Sequence, residues 1–254
     1  MSSHRTTGLD DEQFDELLAR VEEQITWDAG TGRPRALTLR QALKATLLYK
    51  RHNMTEEVIA DIYDVSQGLI SAVINTLETI IAEVLASFVP DPVDAVAGRV
   101  VLVDGTLCPC WSWRTHPELR SGKHATTGHN AQVVADVDAN ILVISEPCPG
   151  AWHDARAYDE TGLWPLIDTT TGLGDRGYIG TNLTTPKRKP RGEELSEHDA
   201  TFNRSVNTFR AAVENAIADL KTWRVLHTDF RRPLRKFATA FRAVAALYFF
   251  SKGY

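Results

Sequence analysis

A run of apolar and β-branched residues, Val100-Val-Leu-Val103, leads straight into Asp104-Gly-Thr. Such a run reads as a buried strand, and an acid directly after it projects its carboxylate from the strand end. A second acid has a similar setting. Asp175 follows Gly172-Leu-Gly174 and precedes Arg-Gly-Tyr, so a strand again reaches a turn, and the flanking glycines let a phosphate backbone approach closely. A third, Glu214, lies in a stretch of helical spacing from Thr208 to Trp223. Two strand ends and one helix would bring three carboxylates from distant parts of the chain together. Magnesium takes oxygen ligands and keeps several waters, and in two-metal phosphoryl transfer the ions lie about 3.5–4 Å apart. Three carboxylates can hold such a pair, so Asp104, Asp175 and Glu214 are the candidate catalytic and metal-binding residues.

With 254 residues, 43% of them hydrophobic and 24% charged, the chain has room for one large domain and a small one. No run of eighteen apolar residues occurs, and Met1-Ser-Ser-His-Arg5 lacks the apolar core of a signal peptide. A cytoplasmic protein with no membrane partner is expected. Three cysteines are odd in number and too few for a disulfide framework. Cys108, Cys110, Cys148 and His153 could be imagined around zinc, but their spacing matches no standard pattern.

The net charge of −5 disfavours a DNA-binding protein until it is divided along the chain. Residues 187–254 carry 14 Lys and Arg against 7 Asp and Glu, and the residues before them 14 against 26. A local basic surface, rather than global charge, attracts a phosphate backbone. Lys187-Arg-Lys-Pro-Arg191 and Arg231-Arg-Pro-Leu-Arg-Lys236 are the candidates, with simple solvated faces as the alternative for each.

Helical spacing is expected over Asp10–Ile25 and from Thr38 to about Arg51. Asn53 with Glu56 resembles a capping box opening a helix to about Tyr63, and after a corner at Asp64-Val65, Ser66 can cap a helix reaching about Phe88. Small Ala60 and apolar Ile70 and Val73 at such a corner suit a helix-turn-helix. Gln67, Ser71 and Asn75 then share a face that could read a major groove. The other reading is an ordinary helical hairpin with its polar face in solvent. Pro90-Asp-Pro-Val-Asp-Ala-Val-Ala-Gly98 reads as a linker. Strands are expected at Val100–Val103, Ala131–Val137 and Ile141–Ser145, a helix from about Asp154 to Ile167, and a strand ending at Asp175. The fold class is therefore α/β, a mixed sheet flanked by helices over 90–254 and a small all-α helix-turn-helix part over 1–89.

Taken in order, Val103-Asp-Gly-Thr106, Lys123-His124, Gly128-His-Asn-Ala-Gln132, Pro149-Gly-Ala-Trp-His-Asp154, Gly174-Asp-Arg-Gly-Tyr178 and Arg210-x-x-x-Glu214 with Lys221 resemble a known family. The chain is similar to DDE-type insertion-sequence transposases of the bacterial group related to the Harbinger elements, the DDE superfamily endonucleases. The resemblance runs from about residue 38 to about residue 250. It implies an RNase H-like catalytic domain with Asp104, Asp175 and Glu214 as its metal-binding triad. The family's helical signature has a tyrosine three residues before the arginine, where this chain has Asn207. Arg210, Glu214 and Lys221, at i, i+4 and i+11, fall near one helix face, so Arg210 and Lys221 could hold the scissile strand's phosphates.

His153-Asp154 has two readings, a helix cap or, by the resemblance, a pair beside the active site. His129 and Asn130 precede a strand and could meet substrate or be structural. Trp111 and Trp113 could stack on an unpaired base or fill a core edge. The function expected is a DNA transposase with two Mg2+ ions, Mn2+ substituting, that cuts the ends of an insertion sequence and joins the freed 3′-hydroxyls to target DNA. Its partners would be double-stranded DNA, as terminal inverted repeats and target, and a second copy in a homodimer on the bacterial nucleoid. The rivals are a domesticated, non-catalytic DNA-binding protein and a metal-dependent endonuclease without strand transfer.

Overall fold

Polar residues fix the start of each long helix in the first third of the chain. The computed structural model describes residues 4–28, 34–111, 115–168, 170–192 and 194–253. Helix α1 (His4–Thr7) is followed by α2 (Asp11–Gln24), α3 (Leu39–His52), α4 (Glu56–Tyr63) and α5 (Gln67–Val84). Asp10, Thr38, Thr55 and Ser66 stand immediately before α2 to α5, and each side chain accepts a first-turn backbone N–H. Each cap satisfies an otherwise orphaned donor and contributes about 1 kcal/mol.

Asn53 departs from expectation. It closes α3 in a left-handed conformation (φ 50), and Thr55 caps α4 in its place. Asparagine tolerates that conformation better than most residues, and its amide is engaged elsewhere, donating to Thr228 Oγ1 and the Asp229 carbonyl. Between α4 and α5 the chain turns by 106°, within the range of a helix-turn-helix corner, with Asp64 left-handed at the turn (φ 51).

Beyond α5 come α6 (Pro92–Val96), β1 (Val100–Pro109), β2 (Arg120–Ser121), β3 (Thr126–Ala135), β4 (Ile141–Ile144) and β5 (Cys148–Pro149). Then follow α7 (Asp154–Glu160), α8 (Leu163–Ile167), β6 (Thr171–Leu173), α9 (Glu197–Leu220) and α10 (Phe237–Lys252). These form two compact units, Met1–Val89 together with Lys221–Tyr254, and Pro90–Leu220. Residues 221–254, expected in the catalytic part, thus belong to the helical unit. The cause is the apolar face of α10, where Phe237, Phe241, Val244, Leu247 and Phe250 are all buried. The Phe250 ring meets Phe88 edge-on at 4.9 Å.

The helical unit also buries charge. Lys50 Nζ lies 2.7 Å and Arg232 Nη1 2.8 Å from Glu78 Oε2, and Arg232 Nε lies 3.3 Å from Glu56 Oε1. Burial pushes Lys50 down to about 8 against the pull of Glu78. The basic run 231–236 is therefore only partly a surface. Arg232 is buried, whereas Arg231, which donates to the Asn53 carbonyl, and Arg235 are exposed.

In the second unit β1 is longer than expected. It pairs antiparallel with β3 from Leu102 to Pro109, because Leu107 and Cys108 are buried as Val101 to Val103 are. Asp104 consequently sits in mid-strand, opposite Val133, rather than at a strand end. On its other side β1 pairs in parallel with β6, and β3 also carries β4 and the short β2 and β5. The single helix expected over 154–167 is broken into α7 and α8 at Gly162, whose φ of 77 suits glycine. Val101, Val103, Val134, Leu142, Tyr158, Ile167 and Tyr178 form the core on one face of this sheet, and α9 packs on β1 and β3. The α/β class, a mixed sheet flanked by helices after a helix-turn-helix region, is what the structure shows. Among the described residues no single helix is long and apolar enough to cross a membrane.

Candidate active site

Asp104 is held by its neighbours on a buried strand. The Gly105 N–H donates to its Oδ1 at 2.8 Å. Burial pushes the carboxyl up to about 6; Arg210 works against that shift and the charge of Asp175 adds to it. Asp175 lies two residues past β6 and caps the short 3-10 turn Arg176–Tyr178, accepting the Gly177 N–H at 2.6 Å. Glu214 is on α9, whose Val206, Val213, Ala216 and Leu220 are buried. Its own side chain is 62% exposed, so it is the least anchored of the three.

One guanidinium gathers them. Arg210 Nη2 lies 3.5 Å from Asp104 Oδ2, 3.7 Å from Glu214 Oε1 and 4.0 Å from Asp175 Oδ2. Its Nε is buried with no hydrogen-bond partner. Arg210, expected to hold phosphates, thus stands among the acids. Lys221 immediately follows Leu220, the last residue of α9, rather than lying within the helix that carries Arg210 and Glu214.

The donor set fits a hard divalent cation, being all carboxylate oxygen. The site also already gathers a positive charge among its three acids, as the Arg210 distances show. As the side chains stand, no three acids, histidines or cysteines among the described residues surround an ion; the guanidinium lies within reach of all three carboxylates instead.

Further polar groups surround the acids. Lys123 Nζ is 2.9 Å from Asp154 Oδ2. Burial works against the Lys123 ammonium, but its hydrogen bond to Asp154 and the charges of Asp154, Asp175 and Asp104 outweigh it and hold its pKa above the ordinary lysine value. Tyr178 donates to Gln132 Oε1 at 2.6 Å, and Ser145 Oγ accepts the Gln132 N–H. Gln132 is fully buried on β3. A lone amide in the run Ala131-Gln-Val-Val was the signal that could have marked it. A cleft of about 660 Å³ opens here, lined by Lys123, His153, Asp154, Asp175, Arg176 and Arg188 among others.

Of the remaining candidates, His153, Asp154, Asn130 and Arg188 line this cleft. His153 precedes α7 without a side-chain cap, and Asp154 is the first residue of that helix. His129 and Asn130 lie within β3 rather than before it. Trp111 is 58% exposed, and Trp113 lies outside the described residues. The three cysteines are buried thiols, and Cys148 donates to the Asn130 carbonyl. In the helix-turn-helix, Gln67 is exposed and bonded to Glu56, and Ser71 is half-buried. The Asn75 amide is committed to the Ser71 carbonyl and to Arg232. Lys187 to Arg191 are exposed.

A mixed sheet presenting two aspartates, with a glutamate on a packed helix and a separate helix-turn-helix, defines a nuclease-type α/β protein. The family described as DDE superfamily endonuclease matches residues 103–248, and the helix-turn-helix of DDE superfamily endonuclease matches residues 35–87. The chain belongs to the DDE superfamily endonucleases. It is similar to a Streptomyces albus G protein named as a transposase for insertion sequence element IS112, with 30% identity over 87% of this chain and 83% of the relative. It is also similar to a Microchaete diplosiphon protein named as a transposase for element IS702, with 21% identity over 96% and 92% of the two chains.

Proposed function

We propose that this protein is a DNA transposase that cuts the ends of an insertion sequence and joins the freed 3′-hydroxyls to target DNA. The observation that carries the reading is the meeting of Asp104, Asp175 and Glu214 around one guanidinium, in a chain whose relatives bear the names of insertion-sequence transposases. The proposed cofactor is a pair of Mg2+ ions, with Mn2+ substituting, held by the three acids; when bound it would activate the attacking oxygen and stabilise the leaving one.

The chain's own residues do the rest. Asp104 and Asp175 are fixed by the sheet and by N–H bonds from Gly105 and Gly177, so their position costs no reorganisation when substrate arrives. Glu214, exposed on its helix, has room to turn inward. Arg210 carries an Nε–H with no partner and is suited to a phosphate oxygen of the scissile strand. Lys221 serves the DNA backbone from beyond the helix end. Gln67 and Ser71 of the second helix-turn-helix helix meet base edges or phosphates of the terminal inverted repeats, with Arg235 and the run 187–191 adding positive charge. Two copies bring two ends together, in the bacterial cytoplasm on the nucleoid.

The test is cleavage and joining of a labelled plasmid carrying the DNA that flanks the gene, with Mg2+, comparing the native chain with Asp104→Ala. Metal-dependent cuts at the ends that vanish in the variant, with joined products, support the proposal. Cuts without joined products favour an endonuclease without strand transfer, and end binding without cuts a non-catalytic binder.

A further inference from the structure

Gly105 and Gly177 each follow closely on a catalytic aspartate, and neither adopts a left-handed backbone. Conformational freedom therefore does not account for glycine at either place; space does. A Cβ on Gly105 would lie 2.7 Å from Asp154 Oδ1. A Cβ on Gly177 would lie 2.7 Å from Asp154 Oδ2 and 2.8 Å from Asp175 Oδ1. One carboxylate, carried by the first residue of α7, is thus lodged against the backbone beside both aspartates. Asp154 and Asp175 present an oxygen each to a common point.

A capping hydrogen bond does not account for this. The N-cap is His153, and helix α7 has no side-chain cap bond. Nor is it an ordinary surface ion pair, because the Asp154 side chain is 12% exposed while its partner Lys123 is 56% exposed. Asp154 is also far less exposed than Glu214 at 62%.

We propose that Asp154 is a fourth carboxylate of the catalytic centre, a ligand of the divalent cation beside Asp175, and that Lys123 balances its charge until the cation arrives. The inference rests on the reading of this site as a divalent-cation centre. Lys123 reaches Asp154 from the more exposed side, as a cation easily displaced should.

The experiment is Mn2+ binding to the full chain without DNA, read by calorimetry and by the paramagnetic relaxation of Mn2+-bound water. The chains compared are the native one, Asp104→Asn, Asp154→Asn and Lys123→Met. The native chain is expected to bind Mn2+ and Asp104→Asn to lose it. Asp154→Asn should bind at least about tenfold more weakly and, at saturation, show more ion-bound water, since a lost ligand is replaced by water. A residue that merely positions others would lower affinity without changing the water count. Lys123→Met, which keeps the carboxylate, should bind Mn2+ more tightly. Native affinity and water count in a folded Asp154→Asn, or no gain in Lys123→Met, would overturn the proposal while leaving the divalent-cation reading standing. A native chain that binds no Mn2+ would overturn both.

Discussion

Arg210 Nη2 reaches Asp104 Oδ2 at 3.5 Å although 106 residues separate the two in the chain. The same nitrogen serves Asp175 and Glu214, so removing it leaves three carboxylates sharing no cation. Arg210→Ala is expected to lose about 1–3 kcal/mol of metal-free stability at neutral pH, regained on adding Mn2+, and about 10²-fold in cleavage rate. Thermal melting with and without Mn2+ reads the first effect. Equal melting of both proteins in both conditions would show that the guanidinium does not balance the acids.

Glu78 is the shared anion of Lys50 and Arg232 inside the helical unit. Glu78→Gln leaves two buried cations short of a partner and is expected to cost about 3–5 kcal/mol in urea unfolding. A loss below about 1 kcal/mol would mean that water already reaches the network.

Gly128 pairs with Pro109 at the last position of the β1–β3 ladder. A Cβ there would lie 2.4 Å from the Cys108 carbonyl oxygen, a backbone atom of the paired strand. Gly128→Ala should therefore destabilise by about 1–3 kcal/mol or more. Gly68, at the start of α5, has nothing within 4 Å, and Gly68→Ala should stabilise by about 0.5–1 kcal/mol.

His129 is held down at about 4 by burial, against a weaker upward pull from Glu118. Its folded pKa lies below the ordinary 6.5, so the unfolded chain takes up the proton first as pH falls. The stability this neutral ring contributes is complete above pH 6.5 and is lost between 6.5 and about 4, by at most about 3 kcal/mol. Melting temperatures of His129→Gln should fall less steeply over that window than those of the native protein.

Gln67 and Asn75, one helix face in the sequence, should part company in experiment. Gln67→Ala is expected to weaken binding of terminal DNA about tenfold or more with little change in melting. Asn75→Ala removes a partner of buried Arg232 and should lower stability instead. A fluorescence titration with end DNA beside a melting curve separates the two.

Local signals were the legible ones. Ser66 announced α5 by capping chemistry, and Asp104, Asp175 and Glu214 stood out as acids in strand or helix settings. What stayed hidden depends on distant partners. Asn53 beside Glu56 has the spacing of a cap, but its amide is drawn to Thr228 and Asp229, far along the chain. The Arg231–Lys236 run looked like a surface because charge normally is; Glu56 and Glu78, more than 150 residues earlier, take Arg232 inside. β1 could not be followed past Asp104 because its continuation is set by pairing with β3. The resemblance set Asp154 beside the active site, but its close packing against Gly105 and Gly177 rests on side chains that two glycines lack, which no spacing rule reveals.

Helix α10 completes a unit whose other long helices all precede residue 90. A ribosome must therefore finish the entire nuclease unit before the last piece of the helix-turn-helix unit emerges. A chain halted at Leu220 would leave α5 without the face that covers it and is expected to show no thermal transition for the helical unit.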